Sequence, residues 1–179
     1  VLTTQYRRAF AFRAGALLLA GFVITFSVEW HDTIVSEILF AASILVTALA
    51  EMLSYRLGKS TSKIPARALL HGLLAVLAAV VLILTLGDFS VLNITVLIWA
   101  ALTAVIEIAS GWRSSDAAFA RDLRITGLFA GLLALLLLLI PGNPVSVIGL
   151  YGGYSFVAGV YLAIAAVDRP KRSVTESRA

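Results

Sequence analysis

The sequence predicts an all-α integral membrane protein, six transmembrane helices arranged as three tandem helical hairpins. Three observations carry this. Of 179 residues, 60% are hydrophobic and 13% charged, against roughly 45–50% and 25% in water-soluble domains. Residues 125–167 run for 43 positions without an Asp, Glu, Lys or Arg, room for two spans of ~20 apolar residues each. Finally, a helical segment recurs. Thr47-Ala48-x-x-Glu51-x-x-Ser54 and Thr103-Ala104-x-x-Glu107-x-x-Ser110 match position for position, 56 residues apart.

The first span, 9–28, follows Arg7, Arg8 and Arg13, and Ser27-Val28-Glu29-Trp30 is no small-residue cleavage site. It is therefore expected to stay as an anchoring helix rather than be removed as a signal peptide. The second and fourth spans, 34–55 and 89–110, are the apolar segments that carry the repeated glutamate. The third, 66–86, starts after Pro65 and ends at Gly87-Asp88, a turn signal. Pro141-Gly142-Asn143-Pro144 divides the long uncharged run into spans 123–140 and 145–167, because proline and glycine stop one helix and start the next. Residues 1–168 form one membrane domain with hairpins of about 9–55, 66–110 and 123–167; residues 169–179 form a short polar tail.

Connections alternate between short and long, and charge follows the alternation. All 14 Lys and Arg residues fall in or beside the long links and the termini, while the short links carry only Glu29, Asp32 and Asp88. Basic residues accumulate on the cytoplasmic side of membrane proteins, so both termini are expected in the cytoplasm, with the chain multi-pass in the cytoplasmic (inner) membrane. Trp30, Tyr55 and Trp112 fall at span ends, where amphipathic rings sit well; Trp99 falls near mid-membrane.

Alignment of the hairpins extends the repeat. Gly72-Leu-Leu-Ala-Val-Leu-Ala-Ala and Gly127-Leu-Phe-Ala-Gly-Leu-Leu-Ala correspond at an offset of 55, and Gly15-Ala-Leu-Leu-Leu-Ala-Gly is a looser third copy. Arg13, Arg67 and Arg124 each precede the glycine that opens a copy, and the third return helix has Leu162 in place of the glutamate. Three hairpins in one orientation make a parallel repeat, unlike the inverted pair of many transporters. With Ala104-Val-Ile-Glu107-Ile-Ala-Ser-Gly-Trp-Arg113, Arg124-Ile-Thr-Gly127 and the Pro141 turn, residues 8–167 resemble the HdeD-like acid-resistance membrane protein family of short-repeat, six-span proteins. That resemblance implies a role in envelope stress or acid tolerance and supplies no catalytic residues.

Glu51 and Glu107 are the leading candidate site residues. They lie five and six residues before Arg56 and Arg113, roughly 7–9 Å inside the boundary at 1.5 Å per residue. Arg13, Arg67 and Arg124 enter at similar depth on neighbouring spans. The plainest reading is a structural ion pair of Arg13 or Arg67 with a glutamate; a proton-responsive pair and a substrate or lipid site are the alternatives. Arg124, without a glutamate in its own hairpin, is expected to reach Glu51 or Glu107 across the bundle, or a lipid phosphate. His71 sits one turn beyond Arg67 and reads as an interhelical hydrogen-bond partner or a pH switch. Glu29, His31, Asp32, Glu37 and Asp88 gather on the outer side as a solvated, acidic turn region. Gly127, Gly131, Gly152, Gly153 and Gly159 are candidate helix-packing positions, since small residues let helices approach closely.

The chain has no cysteine, which excludes disulfides and thiolate metal sites, and no nucleophile–base, zinc, phosphate-loop or dinucleotide motif occurs. No enzymatic activity, cofactor, metal or nucleic-acid partner is expected. The expected partners are the lipid bilayer and other membrane-protein subunits. The leading function is a small stress-related membrane protein acting through packing, lipid or protein contacts. An accessory subunit of a larger membrane complex is one alternative, and a small-solute or proton transporter using Glu51, Glu107 and His71 is another.

Overall fold

The computed structural model describes residues 2–56, 65–140 and 142–167, with side chains from Arg7 onward. The polar tail 169–179, most of the link between the second and third spans and Pro141 lie outside the described residues. Among the described residues six α-helices follow one another: α1 (Leu2–Phe26), α2 (Thr33–Arg56), α3 (Ala66–Leu84), α4 (Phe89–Arg113), α5 (Ala117–Leu139) and α6 (Pro144–Val167), with a 3-10 turn, Val28–Trp30, before α2. All six are long and apolar enough to cross a membrane.

Boundaries depart from the expected spans where polar residues can continue or cap a helix. α5 starts six residues earlier than expected, because Asp116 accepts hydrogen bonds from Ala118 N–H and Phe119 N–H, both at 3.0 Å. Asp88 does the same for α4, accepting from Ser90 N–H at 2.9 Å. Such caps satisfy amide donors that have no partner within the helix. At the far end of the bundle, Arg7 of α1 donates from Nε to the Ala166 carbonyl at 2.7 Å, covering the carbonyl end of α6 with a positive charge.

Each helix packs on its neighbours in the chain, and α1 closes on α6, so the six form a ring; α2, α4 and α6 also touch one another inside it. There Phe40 of α2, Trp99 of α4 and Tyr151 and Tyr154 of α6 form an aromatic knot. Its edge-to-face contacts have centroid separations of 4.8–6.0 Å, the geometry that ring quadrupoles favour. Trp99 is thus mid-bundle because it is core. Outward faces carry the opposite chemistry from a water-soluble protein. Phe26, Leu84 and Leu139 are each about 70% exposed or more, while the most buried residues include carboxylates. Lipid in place of water explains both facts.

Glycine sets the two tightest helix pairings. A Cβ on Gly127 of α5 would lie 3.1 Å from the Ala104 carbonyl of α4, and one on Gly111 would lie 2.8 Å from the Ala120 carbonyl. Between α1 and α6, a Cβ on Gly21 would meet Phe156 N at 3.0 Å, and Gly152 and Gly159 abut Ile24 and Leu18. Gly131 and Gly153 do not belong with this set. The nearest atom to a Gly131 Cβ is 3.7 Å away, and a Gly153 Cβ meets nothing within 4 Å. Gly131 thus faces α4 at an ordinary contact distance that would admit a Cβ, whereas Gly153 faces no neighbour, because spacing along a helix does not say which face meets one.

Gly87, in the turn between α3 and α4, has a φ of 93°. Side chains crowd the backbone there, so Gly87→Ala is expected to destabilise the folded chain by about 1–2 kcal/mol. Chemical unfolding in detergent would measure it, and an unchanged midpoint would show that the turn relaxes freely.

Candidate functional site

The candidate site is a buried charge cluster where the early part of α1, α3 and α5 meets the late part of α2 and α4. Helices must alternate in direction for those positions to share one level. Arg13 of α1 forms an ion pair with Glu107 of α4, and Arg67 of α3 pairs with Glu51 of α2. Arg67 also reaches Glu107, Nη1 to Oε1 at 3.1 Å. His71, one turn along α3, places Nδ1 3.3 Å from Glu51 Oε2 and Nε2 3.6 Å from Glu107 Oε1. From α5, the Thr126 hydroxyl donates to Glu107 Oε2 at 3.2 Å.

Glu51 is 1% exposed and Glu107 fully buried, and Arg13, Arg67 and His71 are all under a tenth exposed. An isolated charge so far from water would cost several kcal/mol. Here two guanidiniums face two carboxylates, and each carboxylate has a second polar contact besides its arginine. Glu107 is the hub, holding α1, α3 and α5 to α4.

The pairing crosses the hairpins. Arg13 takes its glutamate from the second hairpin, and Arg67 bridges both. Arg124 takes neither: it is exposed, and its Nε donates to the Ala120 carbonyl of its own helix at 3.1 Å. The reason is azimuth. Arg67 and His71 are four residues apart and share a face, whereas Arg124 and Thr126 are two apart, about 200° around the helix. At the offset of 55, Arg67 corresponds not to Arg124 but to Asp122, and His71 corresponds to Thr126. Asp122 is 6% exposed. It accepts from the Tyr161 hydroxyl of α6 at 2.8 Å and lies 3.3 Å from Arg121 Nε. At the position of Arg67, α5 thus carries Asp122, hydrogen-bonded to Tyr161, the residue before Leu162.

Sequence reasoning missed Thr126, Asp122 and Tyr161. One signal was available, since His71-Gly72 and Thr126-Gly127 both place a polar residue directly before the aligned glycine.

Of the group near the short turns, Glu29, Asp32 and Asp88 are exposed as expected, whereas Glu37 and His31 are buried. Glu37 is 1% exposed, and its Oε2 accepts from Gly87 N–H at 2.7 Å, tying α2 to the α3–α4 turn. Asp32 Oδ1 accepts from Val35 N–H at 2.7 Å. His31 is buried beside the Ser27 hydroxyl, 3.0 Å from its Nε2, and burial pushes its pKa below the ordinary histidine value. These side chains serve the backbone around them.

A second feature is a groove between α5 and α6 of about 510 Å³, lined by apolar residues such as Phe129, Leu132 and Leu136, with Gly149, Gly153 and Tyr154 opposite. Added Cβ atoms at Gly149 and Gly153 would meet nothing within 4 Å. Tyr154 also interacts electrostatically with Arg13, so the groove floor and the charge cluster share a boundary. Compared with protein-family models, curated proteins and solved structures, the chain matches none of them.

Proposed function

We propose that this chain is a non-enzymatic, multi-pass protein of the cytoplasmic membrane that works through its lateral surface. In this reading the charge cluster is the clasp that holds three tandem hairpins together. The observation that carries it is closure: Glu51 and Glu107 are sealed from solvent, and the cavity beside Glu51 has about 20 Å³. A solute path would need room that this space does not offer. The segregation of basic residues supports termini in the cytoplasm, and the HdeD-like resemblance suggests envelope or acid stress as the setting. Deleting the gene and exposing cells to low external pH tests the setting. Survival is expected to fall and to return with the wild-type chain. Equal survival with and without the chain would count against a stress role.

The α5–α6 groove favours one more specific reading, an accessory subunit of a membrane complex. Small-residue faces suit close helix approach, and this one is unfilled. Purification in mild detergent with mass spectrometry is expected to yield a second membrane protein in fixed ratio, lost when Gly149 and Gly153 are changed to Leu. Recovery of this chain alone would defeat the subunit reading and leave lipid contacts as the lateral role.

A further inference from the structure

We infer that the charge cluster contains a bound-water site. The cavity of about 20 Å³ is lined by Arg13, Glu51, His71 and Thr103, by Thr47, whose hydroxyl donates to the Ser43 carbonyl, and by apolar and aromatic side chains. Four polar atoms from that lining, Arg13 Nε, Glu51 Oε1, His71 Nε2 and Thr103 Oγ1, are buried without a hydrogen-bond partner. Glu51 Oε1 is ion-paired with Arg67, which leaves three, on side chains of residues 2–8% exposed. Buried polar groups that lack a protein partner are satisfied by ordered water in most folded proteins.

Size and chemistry select the ligand. One water needs about 10–15 Å³ of such volume and typically makes about three hydrogen bonds, the number of atoms left over. It accepts from Arg13 Nε–H, exchanges a bond with the Thr103 hydroxyl, and serves His71 Nε2 as acceptor or donor according to the ring's tautomer. A cation would face the Arg13 guanidinium, and an anion would face Glu51. A neutral molecule able to donate and accept meets neither repulsion. It would join α1, α3 and α4 at a point the ion pairs do not reach.

A high-resolution structure of the full chain in lipid tests this directly. Ordered density about 2.7–3.2 Å from all three atoms is expected. A cavity without density, or an anomalous peak there after bromide exchange, would overturn the proposal. Ala48→Val and Ala75→Val, each of which puts two methyl groups on a Cβ of the cavity lining, supply a second readout. Filling a dry void raises stability, whereas displacing this water strands three buried polar atoms. Both variants are therefore expected to lower the unfolding midpoint by several degrees, and a raised midpoint would count against the site.

Discussion

Glu107→Gln is expected to destabilise the folded bundle by about 3–5 kcal/mol, the cost of breaking a buried ion pair by removing one partner. The amide keeps the size of the side chain and a contact for Thr126, so the loss isolates charge. Arg13 would then have no paired carboxylate, and Arg67 would keep only Glu51. Glu51→Gln should cost less, because Arg67 retains Glu107 at 3.1 Å. Unfolding midpoints in one detergent, with pulse proteolysis as a second probe, would rank the pair. Equal midpoints for Glu107→Gln and wild type would mean the cluster is not a clasp, and a proton-responsive role would become the better reading.

Gly127→Leu is the second large effect. A Cβ there lies 2.7 Å from Ile108 Cγ1, 3.0 Å from Glu107 Cβ and 3.1 Å from a backbone carbonyl. Overpacking of this kind costs typically 1–3 kcal/mol, and here it also pushes on the hub of the charge cluster. Gly153→Leu is the matched control, since that position opens into the groove. We expect the first variant to express poorly or melt early and the second to stay close to wild type in stability. The reverse order would show that α5 packs on α4 differently. Gly127 is consequently a poor probe of partner docking, which Gly149 and Gly153 report without disturbing the bundle.

Depth was legible in the sequence; azimuth was not. Hydropathy, turn chemistry and charge segregation gave six helices and put Arg13, Arg67, Glu51, Glu107 and His71 at one level, which is where the structure brings them together. The same reasoning placed Arg124 with them, because a residue two positions off the right face has the right depth and the wrong direction. Gly153 was grouped with Gly127 and Gly159 for the same cause, whereas Gly131 does face Ala104 of α4, at an ordinary contact distance. Asp122 and Tyr161 escaped notice because a short-range polar pair between α5 and α6 leaves no hydropathy signal. Glu37 was read as solvated because its partner is a backbone amide, Gly87 N–H, which side-chain patterns do not reveal.

The reach of the Arg13–Glu107 pair has a consequence for how the molecule is made. The two residues are separated by 94 positions, roughly 5–20 s of synthesis at common elongation rates. A ribosome that has delivered only the first hairpin has inserted Arg13 without the carboxylate it holds in the finished protein. Arg67, the final partner of Glu51, has also yet to appear. α4 is therefore the keystone of assembly: a nascent chain halted before it can pair Arg67 with Glu51 but leaves Arg13 without Glu107, and a chain carried past it can close the cluster.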